Sequence, residues 1–375
     1  MDAPALVWER WNAQVKMLLP QLHGHQQKTL AWMILGMVLS GSAVLQRIAE
    51  GLYGISGAKM PSIERRLARF VANERVQVAP IWTQFLSQVL PFWRERRVFL
   101  VLDCTPFDDR ATIVYLGLLV HSRVLPVAWR VLPAQQKWPQ GQWEVVRSLF
   151  DQVAPHLEAA DCTLLADRGL VGWPLVQLCR ERRWHYLLRV RREHTCRRWL
   201  GRWTAWRPLG HLITRPGQQW CGRVQMWQEP TLETQLSAVW DPAYQDVWFL
   251  ISDRPAGRQR IGEYALRARV EATFQDSKSR GWKLEASFVH DLVRLDRLLL
   301  ALFLAVWWIC HLAAACMHHG QRHRFDRPDR RDKGIFRLGR LWLLDILRRA
   351  ANEGALASCL PFTKRSNGWA FSLRF

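Results

Sequence analysis

The stretch VFLVLD, residues 98–103, decides how this chain folds. It is a continuous apolar run closed by an acid, the pattern of a central strand that is buried on both faces of a sheet. A second run, CTLLAD at residues 162–167, has the same form. If the two strands are neighbours, the carboxylates of Asp103 and Asp167 meet at one edge of the sheet.

Two adjacent carboxylates repel each other unless a cation lies between them, and oxygen ligands suit Mg²⁺ or Mn²⁺. Asp103 and Asp167 therefore predict a metal site of the kind that hydrolyses phosphodiesters with a pair of ions. Either aspartate alone is explained as well by the start of a turn or by a helix cap. A third ligand is needed to separate the two interpretations.

The order of elements around the two runs indicates an α/β fold. Strand-like runs at 112–120 and 124–132 follow the first run and predict an antiparallel meander. A helix is predicted at 142–153, and after the second run come a helix at 174–183 and a strand at 185–190. The resulting order, β-β-β-α-β-α-β, is expected of a ribonuclease H-like core.

Four parts are predicted along the chain. Residues 1–93 form an N-terminal helical DNA-binding domain, 94–190 and 250–320 the catalytic core, 191–249 a β-rich insertion, and 321–375 a basic loop and helix. One helix is predicted over 26–50, with Gly36 and Gly41 as points of close approach. A second, at 62–73, presents Arg65 and Arg66 away from its apolar face. This pair of helices suits a small DNA-binding unit or a solvated face of a helical bundle.

Composition points to a polyanionic partner. Lys plus Arg number 53 against 32 Asp plus Glu, a net charge of +21, which favours nucleic acid first and an acidic membrane surface second. Hydrophobic residues make up 49%, so general disorder is excluded. No CxxC pair occurs among the cysteines and no secretory signal opens the chain, so we expect a cytoplasmic, nucleoid-associated protein.

The segment 298–317, LLLALFLAVWWICHLAAACM, is long and apolar enough to span a membrane. A helix buried on all sides in an α/β core has the same composition. Basic residues flank the segment on both sides, so they give no orientation. A membrane protein is therefore one alternative that the sequence leaves open.

A third set of residues supports a catalytic site. Tyr264, Arg267, Glu271 and Lys278 lie at offsets of 0, 3, 7 and 14. At ~100° per residue they fall on one stripe roughly 60° wide of a single helix predicted over 261–278. An exposed Arg–Glu pair alone adds only a few tenths of a kcal/mol to a helix. The stripe is better explained by Glu271 on a metal, with the two cations on phosphates.

The spacing Y-x2-R-x3-E-x6-K matches the Tyr-Arg-Glu-Lys motif of the insertion-sequence-four family of bacterial transposases. VLDCT around Asp103 and LLADRG around Asp167 resemble the first and second catalytic aspartates of that family. The resemblance covers residues 95–350 and includes the insertion between the second and third acids. The N-terminal part is shorter than in longer members of the family.

The resemblance implies a ribonuclease H-like fold and two Mg²⁺ ions, with Mn²⁺ as a substitute. Asp103 bridges the ions, and Asp167 and Glu271 hold one each, while the other three motif residues grip the terminal phosphates. It also implies a homodimer that brings both element ends together on double-stranded DNA and joins a freed 3′-OH to target DNA. A hairpin intermediate is favoured, the apolar segment becomes a buried helix, and the C-terminal amphipathic helix at 338–349 is the best local candidate for a dimer contact.

The stretch 180–215, which covers the end of the first core segment and the start of the insertion, is rich in arginine and tryptophan. Eleven arginines lie between positions 180 and 215 against two acids, and Trp184, Trp199, Trp203 and Trp206 are interleaved with them. Aromatic rings stack on unpaired bases, so Trp199 and Trp203 are predicted to bind DNA near the cut, where related transposases stabilise a flipped base. The alternative is that these rings fill the core of a small β layer.

Two further functions have the same acids. A ribonuclease H-like endonuclease cleaves DNA without strand transfer, and a transposase-derived binding protein has lost catalysis. The presence of all three acids together with Tyr264, Arg267 and Lys278 argues against the second. Only a joining assay separates the first from a transposase.

Overall fold

The computed structural model describes residues 3–134, 138, 141–243, 245–278, 281–327 and 329–348. Residues 3–93 form helices: α1 Ala3–Leu18, α2 Gly24–Ser40, α3 Leu45–Leu52, α4 Met60–Ala72 and α5 Val78–Val89, followed by a 3₁₀ turn at Leu90–Trp93. The prediction of one helix over 26–50 is wrong, because Gly41 adopts a left-handed conformation (φ 66°) and ends α2. Gly36 is confirmed as a close approach, since a Cβ there would lie 2.6 Å from Ile48 Cγ2 of α3.

The described strands form one mixed sheet. They are β1 Arg97–Phe107, β2 Ala111–Val120, β3 Arg123–Pro133, β4 Asp161–Ala166, β5 His185–Val190, β6 Thr195–Arg198, β7 Arg207–Pro208, β8 Gln219–Met226, β9 Leu232–Val239 and β10 Trp248–Ser252. Their order across the sheet is β3-β2-β1-β4-β5-β10-β9-β8-β6-β7. β1, β4 and β5 are parallel, and β1, β2 and β3 form the predicted antiparallel meander.

The remaining helices lie between and after these strands: α6 Gln142–Val153, α7 Trp173–Glu181, α8 Arg258–Ala265, α9 Arg269–Ser277, α10 Leu292–His318 and α11 Ile335–Arg348. The bounds of α6 and β5 agree with the sequence-based prediction. The helix predicted over 261–278 is not continuous, because a 3₁₀ turn at Leu266–Ala268 joins α8 to α9. The strands between 195 and 239 extend the central sheet through the pairing of β9 with β10.

Helix α10 contains the long apolar segment and is buried in the protein core. Residues 298–316 are buried, apart from the half-buried Cys310. Trp308 stacks on Trp11 of α1 with ring centroids 4.0 Å apart, and Trp307 Nε1 donates to the carbonyl of Pro126 on β3. Within the described residues α10 is the helix long and apolar enough to cross a membrane, and α2 with α3 meets the same test only as a pair bent by 89°. Packing on both sides supports the buried-helix alternative for α10.

The C-terminal amphipathic helix buries its apolar face within the chain. Leu338, Trp342, Leu343 and Ile346 of α11 are buried, and α11 packs mainly on α10. The apolar face of α11 is therefore already covered within the protein, and a dimer contact through this helix stays a prediction. Position 349, where the predicted helix ended, lies outside the described residues, as does the rest of the C-terminal part.

Candidate active site

Asp103 and Asp167 lie side by side on adjacent parallel strands. The pairing of β1 with β4 runs from Arg97 opposite Asp161 to Leu102 opposite Ala166. The residue that follows each of these two segments is an aspartate. The two runs are therefore neighbouring strands, the condition under which the sequence predicted that the two carboxylates meet. β1 is longer than predicted and continues to Phe107 in its pairing with β2, so Asp103 lies within a strand whereas Asp167 follows one.

Asp103 is the more buried of the two carboxyls, with 15% of its side chain exposed against 34% for Asp167. Burial raises the pKa of Asp103, while Arg267 and the backbone N–H of Cys104 lower it. The charges of Asp167 and Glu271 raise it further. The three acids that the sequence singled out are thus close enough for the other two to perturb the ionisation of Asp103.

Arg267 places its guanidinium between the two aspartates. Its Nη2 atom donates to Asp103 Oδ2 at 2.8 Å and lies 3.9 Å from Asp167 Oδ2. The side chain is 13% exposed, and its buried Nε atom has no hydrogen-bond partner among the described residues. The sequence predicted Arg267 on a phosphate. In this structure it instead neutralises the two acids and keeps one N–H available for a further acceptor.

The 3₁₀ turn at 266–268 changes how the motif residues reach the sheet edge. Tyr264 on α8 donates from its hydroxyl to Asp167 Oδ1 at 3.3 Å, and burial raises its pKa. Its ring packs edge-on against Trp248 of β10. The ideal helical stripe is therefore wrong in detail, because residues of a 3₁₀ turn advance by a larger angle than those of an α-helix. Tyr264 and Arg267 still reach the same edge, each on a different aspartate.

Glu271 lies in the first turn of α9 and is exposed. The opposite face of α9 is fixed to the β2–β3 hairpin, at angles of roughly 140–200° from Glu271 on a regular helix. Three hydrogen bonds make this attachment: Arg269 Nη1 to the carbonyl of His121, the Val124 N–H to Thr273 Oγ1 at 3.0 Å, and Arg123 Nε to Asp276 Oδ2 at 2.7 Å. Anchoring one face in this way directs Glu271 away from the hairpin.

Lys278 comes directly after α9, where the helix ends. Its Nζ atom donates to the carbonyl of Pro106 on β1 and lies 3.9 Å from Glu285 Oε1. Burial lowers the pKa of Lys278, and Glu285 opposes that shift. The structure thus places Lys278 beside the strand that carries Asp103, although the regular helix on which it was predicted has already ended.

Arg189 belongs to this site and was not singled out from the sequence. It lies on β5, the strand next to β4, and its Nη1 atom is 3.8 Å from Asp167 Oδ1. Only 14% of its side chain is exposed. Its place near the end of a strand parallel to the one before Asp167 was the available signal. That signal was obscured because Arg189 is one of many arginines in this part of the chain.

The predicted DNA-binding residues outside the motif lie on other elements. Trp199 and Trp203 face each other across a β-bridge, with ring centroids 5.1 Å apart, and Arg223 lies over both rings. Trp199 is 40% exposed, whereas Trp184 is buried against Phe150, so the core interpretation holds for Trp184.

Arg65 and Arg66 lie on the exposed side of α4, among the N-terminal helices. The guanidinium of Arg66 lies 5.2 Å from the ring centroid of Trp32. The structure therefore places these two arginines on α4, a different element from those that carry the three acids.

The three acids supply only oxygen donors, which suits a hard divalent cation. The pKa of Asp103 is raised first by burial, and the negative charges of Asp167 and Glu271 add to that shift. Within the described part of the chain, however, no three acidic, imidazole or thiol side chains stand close enough to ligate a metal ion. Arg267 supplies the positive charge between two of the acids. The donor chemistry fits a metal, provided that Arg267 moves away from Asp103.

Comparison with known proteins identifies the family. A search of curated proteins finds no match to this chain. The family model described as the transposase DDE domain matches residues 119–308, which include Asp167 and Glu271 and begin after Asp103. Because the match spans just over half of the chain, the protein belongs to the transposase DDE domain family.

Proposed function

We propose that this protein is a DNA transposase of the insertion-sequence-four family, with Asp103, Asp167 and Glu271 as its catalytic acids. The observation that carries the proposal is the pairing of β1 with β4, which ends one residue before Asp103 and Asp167. Transposition requires repeated chemistry on phosphodiesters at one site, and a concentrated set of carboxylates suits this chemistry.

A ribonuclease H-like core is the fold that we propose for residues 94–190 and 250–320. The support is the order of elements, three antiparallel strands followed by α6, β4, α7 and β5, with β4 and β5 parallel to β1. The N-terminal helices and the strands between 191 and 249 are proposed as DNA-binding parts, the first through Arg65 and Arg66 and the second through Trp199 and Trp203.

In the proposed mechanism Asp103, Asp167 and Glu271 would hold the two Mg²⁺ ions. Metal ions bound there would lower the pKa of a bound water and stabilise the charge on the leaving oxygen. Arg267 leaves Asp103 for a DNA phosphate, and its unpaired Nε atom lets its planar fork bind two phosphate oxygens. Tyr264 keeps Asp167 oriented, and Lys278 adds positive charge beside β1.

DNA is the proposed partner, as double-stranded element ends and target DNA, and a homodimer is the proposed assembly. Cleavage at each end frees a 3′-OH, which then attacks a target phosphate, so that one phosphodiester forms as another breaks. A hairpin intermediate remains part of the proposal. The excess of 53 basic over 32 acidic residues supports a polyanionic substrate such as DNA.

The decisive experiment compares the wild-type protein with Glu271→Gln on DNA that carries the element's own ends, with Mg²⁺. Glu95→Gln is the matched control, because Glu95 is an exposed acid just before β1, at the other end of that strand. We expect the wild type and the control to cut and join, and Glu271→Gln to bind the ends without either reaction. Equal activity of all three would contradict the catalytic assignment, and cutting without joining would indicate a nuclease.

A further inference from the structure

A cavity lined by arginine lies next to Asp167. Its volume is about 270 Å³, and it opens beside the ends of β4 and β5. Its basic lining consists of Arg168, Arg189, Arg191 and Arg192. The half-buried Trp240 forms part of the wall, and Glu193 and Asp246 contribute acids. Four guanidiniums against two carboxylates leave a net positive charge in a small space.

The Asp246 carboxylate lies between two of these arginines, Arg168 and Arg189. One of its oxygens, Oδ2, lies 3.2 Å from Arg168 Nη1 and 3.3 Å from Arg189 Nη2. A carboxylate oxygen held between two guanidiniums has the surroundings that a phosphate oxygen adopts on arginine. The side chains of Asp246 and Arg168 are 59% and 50% exposed, so the pair can separate without unfolding the loop.

Arg189 connects the cavity with the catalytic edge. Its Nη1 atom faces Asp167 Oδ1 at 3.8 Å while its Nη2 atom faces Asp246 Oδ2 at 3.3 Å. A phosphate in place of the Asp246 carboxylate would therefore contact the same guanidinium that faces Asp167. Such a phosphate would lie near the reacting phosphate on the same DNA strand.

We propose that Arg168 and Arg189 form a second phosphate subsite for the DNA strand at the active site, and that Asp246 covers the subsite until DNA displaces it. The inference rests on the proposed function, since it requires DNA to pass Asp167. The Asp246 carboxylate competes with DNA for the two arginines. Its negative charge holds both arginines in position, and an anion must displace it before it can bind them. A DNA strand displaces it because the strand is held by further contacts on either side.

The test measures DNA affinity by fluorescence anisotropy without divalent metal, so that no cleavage occurs. The probe is a duplex of the element's end, and binding is followed over a range of salt concentrations. Arg168→Ala should weaken binding about five- to tenfold and reduce the slope of log affinity against log salt by about 1. Asp246→Asn should tighten binding about threefold or more, because it removes the competitor but keeps the side chain's size. Arg94→Ala, an exposed arginine before β1, is the control and should change neither quantity comparably.

A second arm locates the phosphate. Single methylphosphonates, which remove one phosphate charge, are introduced in turn near the cut. At one position the methylphosphonate should weaken binding by the wild type as much as Arg168→Ala weakens binding to unmodified DNA. The same methylphosphonate should weaken binding by the Arg168→Ala variant little further. Inorganic phosphate and deoxynucleoside monophosphate should not compete at millimolar concentration, and strong competition by either would assign the cavity to a free anion instead.

Weaker binding by Asp246→Asn would overturn the proposal, since Asp246 would then only support the two arginines. So would Arg168→Ala binding like the Arg94 control while the protein still cleaves DNA. The proposed function fails differently, through cleavage that is absent or independent of Glu271. Thermal melting of each variant confirms folding, and Arg168→Lys, which retains the charge, should recover part of the lost affinity.

Discussion

Thr273 accepts a hydrogen bond of 3.0 Å from the backbone N–H of Val124, which ties the helix carrying Glu271 to the β2–β3 hairpin. Both residues are buried. A backbone N–H that loses its partner in such a place costs ~1–3 kcal/mol, so the bond matters to the position of α9. It lies on the side of α9 opposite the proposed catalytic acid, and Thr273 is buried.

We therefore predict that Thr273→Val lowers the cleavage rate about tenfold and leaves DNA affinity unchanged. Valine has nearly the same shape but no oxygen to accept the Val124 N–H. Thr273→Ser keeps the hydroxyl and should recover most of the rate. Single-turnover cleavage and anisotropy binding measure the two quantities separately, and a loss of affinity equal to the loss of rate would contradict a positioning role for Thr273.

Asp103 gives a prediction about stability and pH. Its pKa is raised above the ordinary 3.8 in the folded protein, first by burial and despite Arg267, so the folded state binds this proton more tightly than the unfolded chain does. The ionised form therefore destabilises the fold at neutral pH, and this cost disappears as the pH falls below 3.8. Asp103→Asn should raise the melting temperature at pH 7 in the absence of metal, with a gain that shrinks towards pH 4.

Mg²⁺ provides the matching control for that prediction. Added metal should raise the melting temperature of the wild type, because binding to the folded state alone stabilises it. The same addition should have little effect on Asp103→Asn. If the variant is less stable than the wild type at pH 7, then the ion pair between Asp103 and Arg267 outweighs the cost of burying the carboxyl.

Tyr264 is predicted to orient Asp167. Tyr264→Phe keeps the ring against Trp248 but removes the hydroxyl that donates to Asp167 at 3.3 Å. Loss of one hydrogen bond to a charged group corresponds to about 1.5 kcal/mol, or about a tenfold lower rate of cleavage. Melting should be almost unchanged. Tyr264→Ala, which also empties space beside Trp248, should be destabilised as well, and equal rates for the Phe variant and the wild type would remove Tyr264 from the site.

The strands were predictable because their signal is local. The run before Asp103 is apolar throughout, and the run before Asp167 is apolar except for Thr163. Burial on both faces of a sheet favours that composition. The division of residues 26–50 into two helices was not predicted, because the apolar spacing continues across Gly41. Helix α2 ends there because the backbone of Gly41 is left-handed. Similarly, helical periodicity alone gives no sign of the 3₁₀ turn that joins the halves of the motif helix.

The side-chain network at the site was less predictable than the strands. Arg267 was expected on DNA, but it lies on Asp103, because two carboxylates at one edge attract the nearest cation. Arg189 was hidden among the arginines around it, since only the order of β4 and β5 in the sheet brings it to Asp167. Such pairings depend on long-range strand order, which single-sequence patterns do not carry.

A close approach of α11 to α10 at Gly339 provides the last prediction. A Cβ at Gly339 would collide with the backbone carbonyl oxygen of Ile309, and neither backbone can yield without separating the helices. Gly339→Ala should therefore lower the free energy of unfolding by about 1–3 kcal/mol. Gly262→Ala is the control, because Gly262 lies in α8 with open space around it, and alanine there should be neutral or stabilising by up to ~1 kcal/mol. Urea denaturation of both variants measures the difference, and a stable Gly339→Ala would show that α11 does not pack on α10 as closely as this.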